Sequence, residues 1–226
     1  GLTLLLPLEE MRSKELFLVP SAQLIPGIPY YPKASSLEKQ DIPEGLRALE
    51  SAGFPKGKGL PPIVIELPKT ETWSKISEMM KTAWKDLQVQ VIIKEIDSDQ
   101  YFDLLDPKEF TIASISWIGD YADPMTFLDL WNSQSSLNRS AFASKEYDAL
   151  LADSNTQQGQ VRYKTLAKAE ELLLLGAAVL PINHSPAFNV INMDLIDGWY
   201  ENPLNVHPFK YFQFKELKPP RNVARL

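Results

Sequence analysis

Between Pro62 and Trp117 the spacing of apolar positions changes repeatedly, and each change predicts a new element. Ile63 to Leu67, IVIEL, is a β-branched run bounded by prolines and predicts a strand. Trp73, Ile76, Met80, Ala83, Trp84 and Leu87 then share one stripe at helical spacing, which predicts a helix from about Glu71 to Leu87. Alternation returns in VQVIIKEI, where Val89, Val91 and Ile93 fall on one face, so a second strand follows at once. A short helical piece near Asp99 to Leu105 leads into FTIASISW, predicted as a third strand ending at Trp117. Strand, helix, strand, helix, strand with short links predicts an α/β fold with a mostly parallel sheet and right-handed crossovers.

The flanking patterns extend this picture. In GLTLLLPLEEM the apolar run is cut off by Glu9 and Glu10 and lacks a basic leader or a small-residue cleavage site. It reads as the buried end of a helix or strand rather than a signal sequence, and a chain opening on such a run is expected to be part of a longer protein. PSAQLIPGIPYYPKASS is broken by prolines and predicts an extended, partly buried connector. DIPEGLRALESAGF predicts a helix capped by Asp41, with Pro43 in its first turn, Leu46 and Leu49 on one face and Gly53 at its end. Ser144 to Asp153 and Gln158 to Leu175 predict two more helices, the second long and amphipathic. AAVLPINH and AFNVINM read as buried strands, and Asp197 to Leu226 is aromatic, proline-broken and finally basic.

Composition narrows the function. The chain has 226 residues, 44% of them hydrophobic, enough for a packed core, and 23 basic against 29 acidic residues give a formal charge of -6. With no long basic cluster, nucleic acid is not an expected partner. The absence of cysteine excludes disulfides, thiolate metal sites and cysteine nucleophiles; it also fits an exported protein, or chance. His184 and His207 lack the spacing of a zinc pair, and His184 is expected to pack with one hydrogen-bond partner. There is no G-x-S-x-G elbow, and the glycines of FPKGKGLPP precede no helix, so neither a serine hydrolase nor a phosphate loop is indicated. No enzyme activity, metal or cofactor is expected.

One stretch stands apart: SISWIGDYADPMTFLDLW, Ser114 to Trp131. Asp120 and Asp123 could be an acid/base or metal pair, but Gly-Asp and Asp-Pro are turn formers whose carboxylates bond local backbone N–H groups, and a calcium loop needs more oxygen ligands than the stretch supplies. Trp73 and Trp84 lie on the helical stripe and read as core. Trp117 reads either as core or as the wall of a cleft, because open α/β sheets bind ligands beyond the carboxyl ends of their strands.

The run from Trp117 to Pro124 with Phe127 and Leu128 resembles the W-x-x-D-Y-x-x-P-x-x-F-L signature of extracytoplasmic oligopeptide-binding proteins of ABC importers, solute-binding protein family 5. ALESAGFPKGKGLPPIVIEL, MMKTAWKDLQVQVIIKEID, SLNRSAFASKEYDALLADS and RYKTLAKAEELLLLGAAVLPINH resemble further family segments in the same order, so the match spans nearly the whole chain.

The resemblance implies the C-terminal lobe of a two-lobed, type II-like periplasmic-binding-protein fold. Residues 1–186 would form the ligand-binding lobe, and 187–226 would return toward the missing N-terminal lobe. It further implies a peptide ligand, delivery to an ABC permease, and a periplasmic or extracytoplasmic protein, a lipoprotein anchored through its absent N-terminus. Asp120 matches the aspartate that meets the peptide's ammonium group. Ser116, Trp117 and Ile118 match the segment that pairs with the peptide backbone, and Tyr121 adjoins them. Where many peptide binders place basic residues for the ligand's carboxylate, this chain has Leu105 and Ser114, so no strong carboxylate clamp is expected in this lobe. Dipeptides, nickel complexes or sugars are rival ligands, and a protein-interaction or adhesion domain is the rival function.

Overall fold

The computed structural model describes residues 1–13, 18–105, 109–140, 142–202 and 205–216; the basic end of the predicted tail lies outside the described residues. The opening apolar run forms a 3-10 turn, Leu2–Leu5, and a short helix α1, Leu8–Met11. Leu5, Leu6, Leu8 and Met11 are buried, as their pattern predicts. The two-residue strand β1, Val19–Pro20, opens the proline-rich connector, which buries Ile25 and Ala34 without forming a longer element. Helix α2, Ile42–Ser51, begins where the Asp41 carboxylate accepts the Glu44 N–H at 2.9 Å.

Strand β2, Ile63–Pro68, is the centre of the main sheet. Helix α3, Glu71–Ala83, is capped by the Thr70 hydroxyl and crosses to strand β3, Val91–Ile96; helix α4, Tyr101–Leu104, then crosses to strand β4, Ile112–Ala113. The order is β3-β2-β4, all parallel, with Ile63 opposite Val91 and Ile65 opposite Ile112. Ile63, Ile65 and Leu67 pack with Ile76, Met80 and Trp84 and with the N-terminal leucines in one core. Trp84 is buried, and its indole N–H donates to the Leu2 carbonyl at 3.0 Å; Trp73 is only half-buried at the edge of this core.

Two boundaries fall short of the periodicity. Helix α3 stops at Ala83 rather than Leu87: the Lys85 and Leu87 N–H groups bond back only three residues, to Thr82 and Trp84, and the Gln88 N–H goes to the Lys56 carbonyl at 2.8 Å. The close approach works because residue 57 is glycine: its φ is +77°, and a Cβ there would lie 3.2 Å from that of Leu87. The third strand ends at Ala113 rather than Trp117. Beyond it the Ser114 N–H donates to the buried Tyr101 hydroxyl at 3.0 Å, and that hydroxyl lies 2.8 Å from the Ser114 carbonyl and 3.0 Å from that of Glu66. The same N–H also reaches the Glu66 carbonyl at 3.3 Å, so the last ladder bond is shared with a side chain and regular pairing stops there.

The remaining helices build a second core. Helix α5, Met125–Leu128, runs into a 3-10 turn, Asp129–Trp131, and is followed by α6, Lys145–Ser154, and α7, Gly159–Leu175. Leu128, Trp131, Tyr147, Leu151, Leu166 and Leu173 pack together with Ile25. The buried Tyr147 hydroxyl donates to the Leu128 carbonyl at 2.6 Å. Tyr147→Phe is expected to lower stability by about 1–2 kcal/mol, read as a lower melting temperature, because the carbonyl would stay buried without a donor.

The predicted strand in AAVLPINH shrinks to β5, Asn183–His184, antiparallel to β1. AFNVINM forms no strand and is not buried: Phe188 is 66% and Val190 101% exposed. Strand propensity expresses the fit of a side chain to a half-buried pleated surface, and among the described residues this segment pairs with no strand. A small hairpin follows, β6, Ile196–Asp197, against β7, Gln213–Phe214. Buried Arg12 ties distant segments together, donating from Nε to the Pro181 carbonyl at 2.9 Å and from an η nitrogen to those of Leu37 and Glu38 at 2.8 and 3.3 Å.

Candidate functional site

Downstream of β4 the chain emerges at the carboxyl end of the sheet and stays extended without regular pairing. Ser114 is buried, but Ile115 and Ser116 are exposed and Ile118 is 86% exposed. Among the described residues, no hydrogen bond is made by the backbone of 115–118. Trp117 points the other way: it is half-buried against the second core, and its indole N–H has no partner among the described residues. Both readings of Trp117 therefore contain part of the geometry, since it is anchored in a core while its neighbours face outward.

The chain then turns tightly at Gly119. A Cβ there would lie 2.9 Å from the Thr126 methyl and 3.1 Å from the Phe127 ring, so a larger residue would push the turn off α5. The next N–H, of Asp120, donates to the buried Thr126 hydroxyl at 2.9 Å. The turn is thus fixed from behind while the Asp120 side chain stays exposed, and among the described residues Asp120 forms no ion pair with any lysine or arginine.

Asp123 behaves differently. Its Oδ1 accepts the Met125 N–H at 2.9 Å, the local turn bond predicted for such an aspartate, but Arg162 of α7 also grips it with both η nitrogens, at 2.6 and 2.8 Å. Partial burial alone would raise the Asp123 pKa; the hydrogen bonds from Arg162 and Met125 and the arginine's charge outweigh it and hold the carboxyl below its ordinary range. The stabilisation this gives is fully present above the ordinary carboxylate pKa and is lost as pH falls through the depressed folded value. Arg162 was missed as a site residue because its partner lies 39 positions away. The Asp–Pro turn foretold the local bond only.

Tyr121 is about half exposed. Its phenol is shifted upward, first by desolvation and then by Asp129, Asp123 and Asp120, with Arg162 acting in the opposite direction. These charges therefore share one neighbourhood. A cleft of about 340 Å³ lies on the Arg162 side, lined by Tyr30, Asp123, Gly159, Gln160, Arg162 and Tyr163. Beneath it Glu170 is fully buried, its Oε1 accepting the N–H groups of Leu24 at 2.8 Å and Ile25 at 3.1 Å. Burial raises the Glu170 pKa, opposed by the hydrogen bonds from the Ile25 and Leu24 N–H groups.

Leu105 and Ser114 are both buried. The His184 pKa is lowered by burial, and its Nε2 has no hydrogen-bond partner among the described residues. His207 stacks on Trp199 with ring centroids 5.3 Å apart and meets the Asn205 carboxamide oxygen at 2.9 Å. Among the described residues no group of three or more histidines or carboxylates is placed to hold a metal, and no helix is long and apolar enough to cross a membrane.

This α/β architecture is that of periplasmic binding proteins. A periplasmic oligopeptide-binding protein of Borrelia burgdorferi superposes with a TM-score of 0.74 at 22% identity, over 95% of this chain and 44% of that one. The oligopeptide-binding protein OppA of Haemophilus influenzae, in complex with the peptide RPPGFSPFR, gives 0.63 at 26% identity over 80% and 38%. Residues 18–139, more than half of the chain, match the bacterial extracellular solute-binding proteins, family 5 (middle), and the chain belongs to that family. Among curated relatives, the periplasmic murein peptide-binding protein MppA of Escherichia coli is 31% identical over 160 residues, 70% of this chain and 29% of that protein. The dipeptide-binding protein DppE of Bacillus subtilis is 30% identical over 125 residues, 54% and 23%. The chain thus spans less than a third of either relative.

Proposed function

We propose that this chain is the C-terminal lobe of a longer extracytoplasmic solute-binding protein that closes two lobes around an oligopeptide and hands it to an ABC permease. In this reading residues 1–186 form the ligand-binding lobe, and 187–226 run back toward the N-terminal lobe, which carries the export signal and membrane anchor. The observation that carries the proposal is the exposed Asp120 without a cationic partner among the described residues, next to an extended segment whose backbone is free to bond. A carboxylate so placed suits a ligand ammonium. Ser116 and Ile118 offer main-chain bonds to the peptide, which give affinity without reading side chains, while Trp117 holds that segment against the core and Tyr121 flanks the anchor. Such a site binds its ligand and needs no catalytic group.

Calorimetry tests the two-lobe arrangement. The full-length protein is expected to bind free peptides at micromolar concentration or better. The 226-residue chain alone is expected to bind at roughly millimolar strength or not at all, since halving about 8 kcal/mol of binding energy reduces affinity by that much. Micromolar binding by the isolated chain would contradict it.

A second reading is favoured by the exposed apolar side chains Val190, Phe209 and Phe214, since exposed apolar surface of this kind can dock a partner protein. In the transport reading the N-terminal lobe covers this surface. Absence of any small ligand in the full-length protein, together with a stoichiometric protein partner, would select the interaction reading.

A further inference from the structure

Asp120 and Asp123 sit on one short turn, yet their charges are treated oppositely. Asp123 takes both η nitrogens of Arg162, at 2.6 and 2.8 Å, and a backbone N–H at 2.9 Å, so each of its oxygens is engaged. Asp120, on the same turn, keeps an exposed carboxylate. The side chains of the Arg162–Asp123 pair are only 19% and 29% exposed, a setting in which a bidentate guanidinium–carboxylate contact is firmly held. The geometry points to Asp123 as a positioning residue: by engaging Arg162 it ties the turn to α7 and keeps that cation from neutralising Asp120, which leaves the Asp120 charge for the ligand's ammonium group.

Several observations converge on this division of labour. The turn is held at Gly119 by close packing on Thr126 and Phe127, at Asp120 by the Thr126 hydroxyl, and at Asp123 by α7, so Asp120 is presented from a fixed frame. Asp120 lies three residues before Asp123 on the same turn, so the guanidinium held at Asp123 lies in the neighbourhood of Asp120; all three charges act on the Tyr121 phenol. A guanidinium cannot lose its proton in water, so the way to silence it is to pair it. A purely structural ion pair would treat its two members alike; this one would not.

The inference rests on Asp120 being the ammonium anchor, and its test separates the two. The full-length protein carrying this lobe would be titrated with alanine peptides of two to five residues, each with a free amino terminus and as its N-acetylated form. Asp123→Asn releases Arg162 beside Asp120 and is expected to weaken free-amine peptides about five- to tenfold, with N-acetylated peptides unchanged. Arg162→Gln breaks the same pair and the same tie to α7 but removes the cation, so its loss for free-amine peptides is expected to stay within about twofold. The double variant should return to within about twofold of the wild type. A loss in Asp123→Asn that Arg162→Gln does not share cannot come from the broken tie to α7, which both variants lack, and unchanged binding of N-acetylated peptides reports that the site is folded.

Equal losses in both single variants, or no change in Asp123→Asn, would overturn the inference. Asp120→Asn is the control for the underlying reading. If it leaves the preference for free amines intact, the anchor itself is wrong and the inference falls with it; if it abolishes the preference while Asp123→Asn does nothing, the inference alone falls.

Discussion

Exchanging Asp120 for asparagine is expected to weaken binding of free-amine peptides by the full-length protein about ten- to a hundredfold. The range follows from a charge-assisted hydrogen bond, worth about 1.5–3 kcal/mol. The change keeps shape and volume, and the Asp120 N–H would still donate to Thr126, so the turn should survive. N-acetylated peptides, which carry no ammonium, should bind wild type and variant alike. Side-by-side calorimetry on the two peptide forms decides it, and equal losses for both would remove Asp120 from the anchor role.

The largest expected effect on stability lies beneath the site. Glu170→Ala should destabilise the protein by about 2–4 kcal/mol, because it leaves the Leu24 and Ile25 N–H groups without an acceptor and empties space in the second core. Glu170→Gln keeps an acceptor oxygen and should be far milder. The two also differ in pH dependence. The folded pKa of Glu170 is raised, first by burial, so its contribution to stability is present below the ordinary carboxylate pKa and is lost as pH rises through the raised value. Glutamine does not titrate, so chemical denaturation of Glu170→Gln should show a flatter stability profile over that window. A profile parallel to that of the wild type would contradict this assignment.

What could be read from the chain was local. The IVIEL strand and the stripe of α3 were legible because a side chain's period reports the surface its own element presents. The cap at Asp41 was legible for the same reason, as it bonds an N–H three residues on. Illegible features were those settled by a distant partner. Past the end of helix α3 the Lys56 carbonyl takes the Gln88 N–H, and β4 ends where the Tyr101 hydroxyl shares the Ser114 N–H with the Glu66 carbonyl. Composition made AFNVINM look buried, but apolar residues say only that a surface dislikes water, not which neighbour is present to cover it. At the candidate site, the turn chemistry of Asp123 was readable and the grip of Arg162 was not. The anchor role proposed for Asp120 came from resemblance, not from a local pattern.

The Arg12 clasp has a practical corollary for dissecting this protein. A guanidinium holds the start of this segment to backbone carbonyls at residues 37, 38 and 181, so the first dozen residues work as a buckle on the lobe. Recombinant boundaries drawn after residue 12 would undo that fastening and strip Leu5, Leu6 and Leu8 from the sheet's core in the same cut. An excised lobe that begins before Leu2 should melt cooperatively, and one that begins at Ser13 should not.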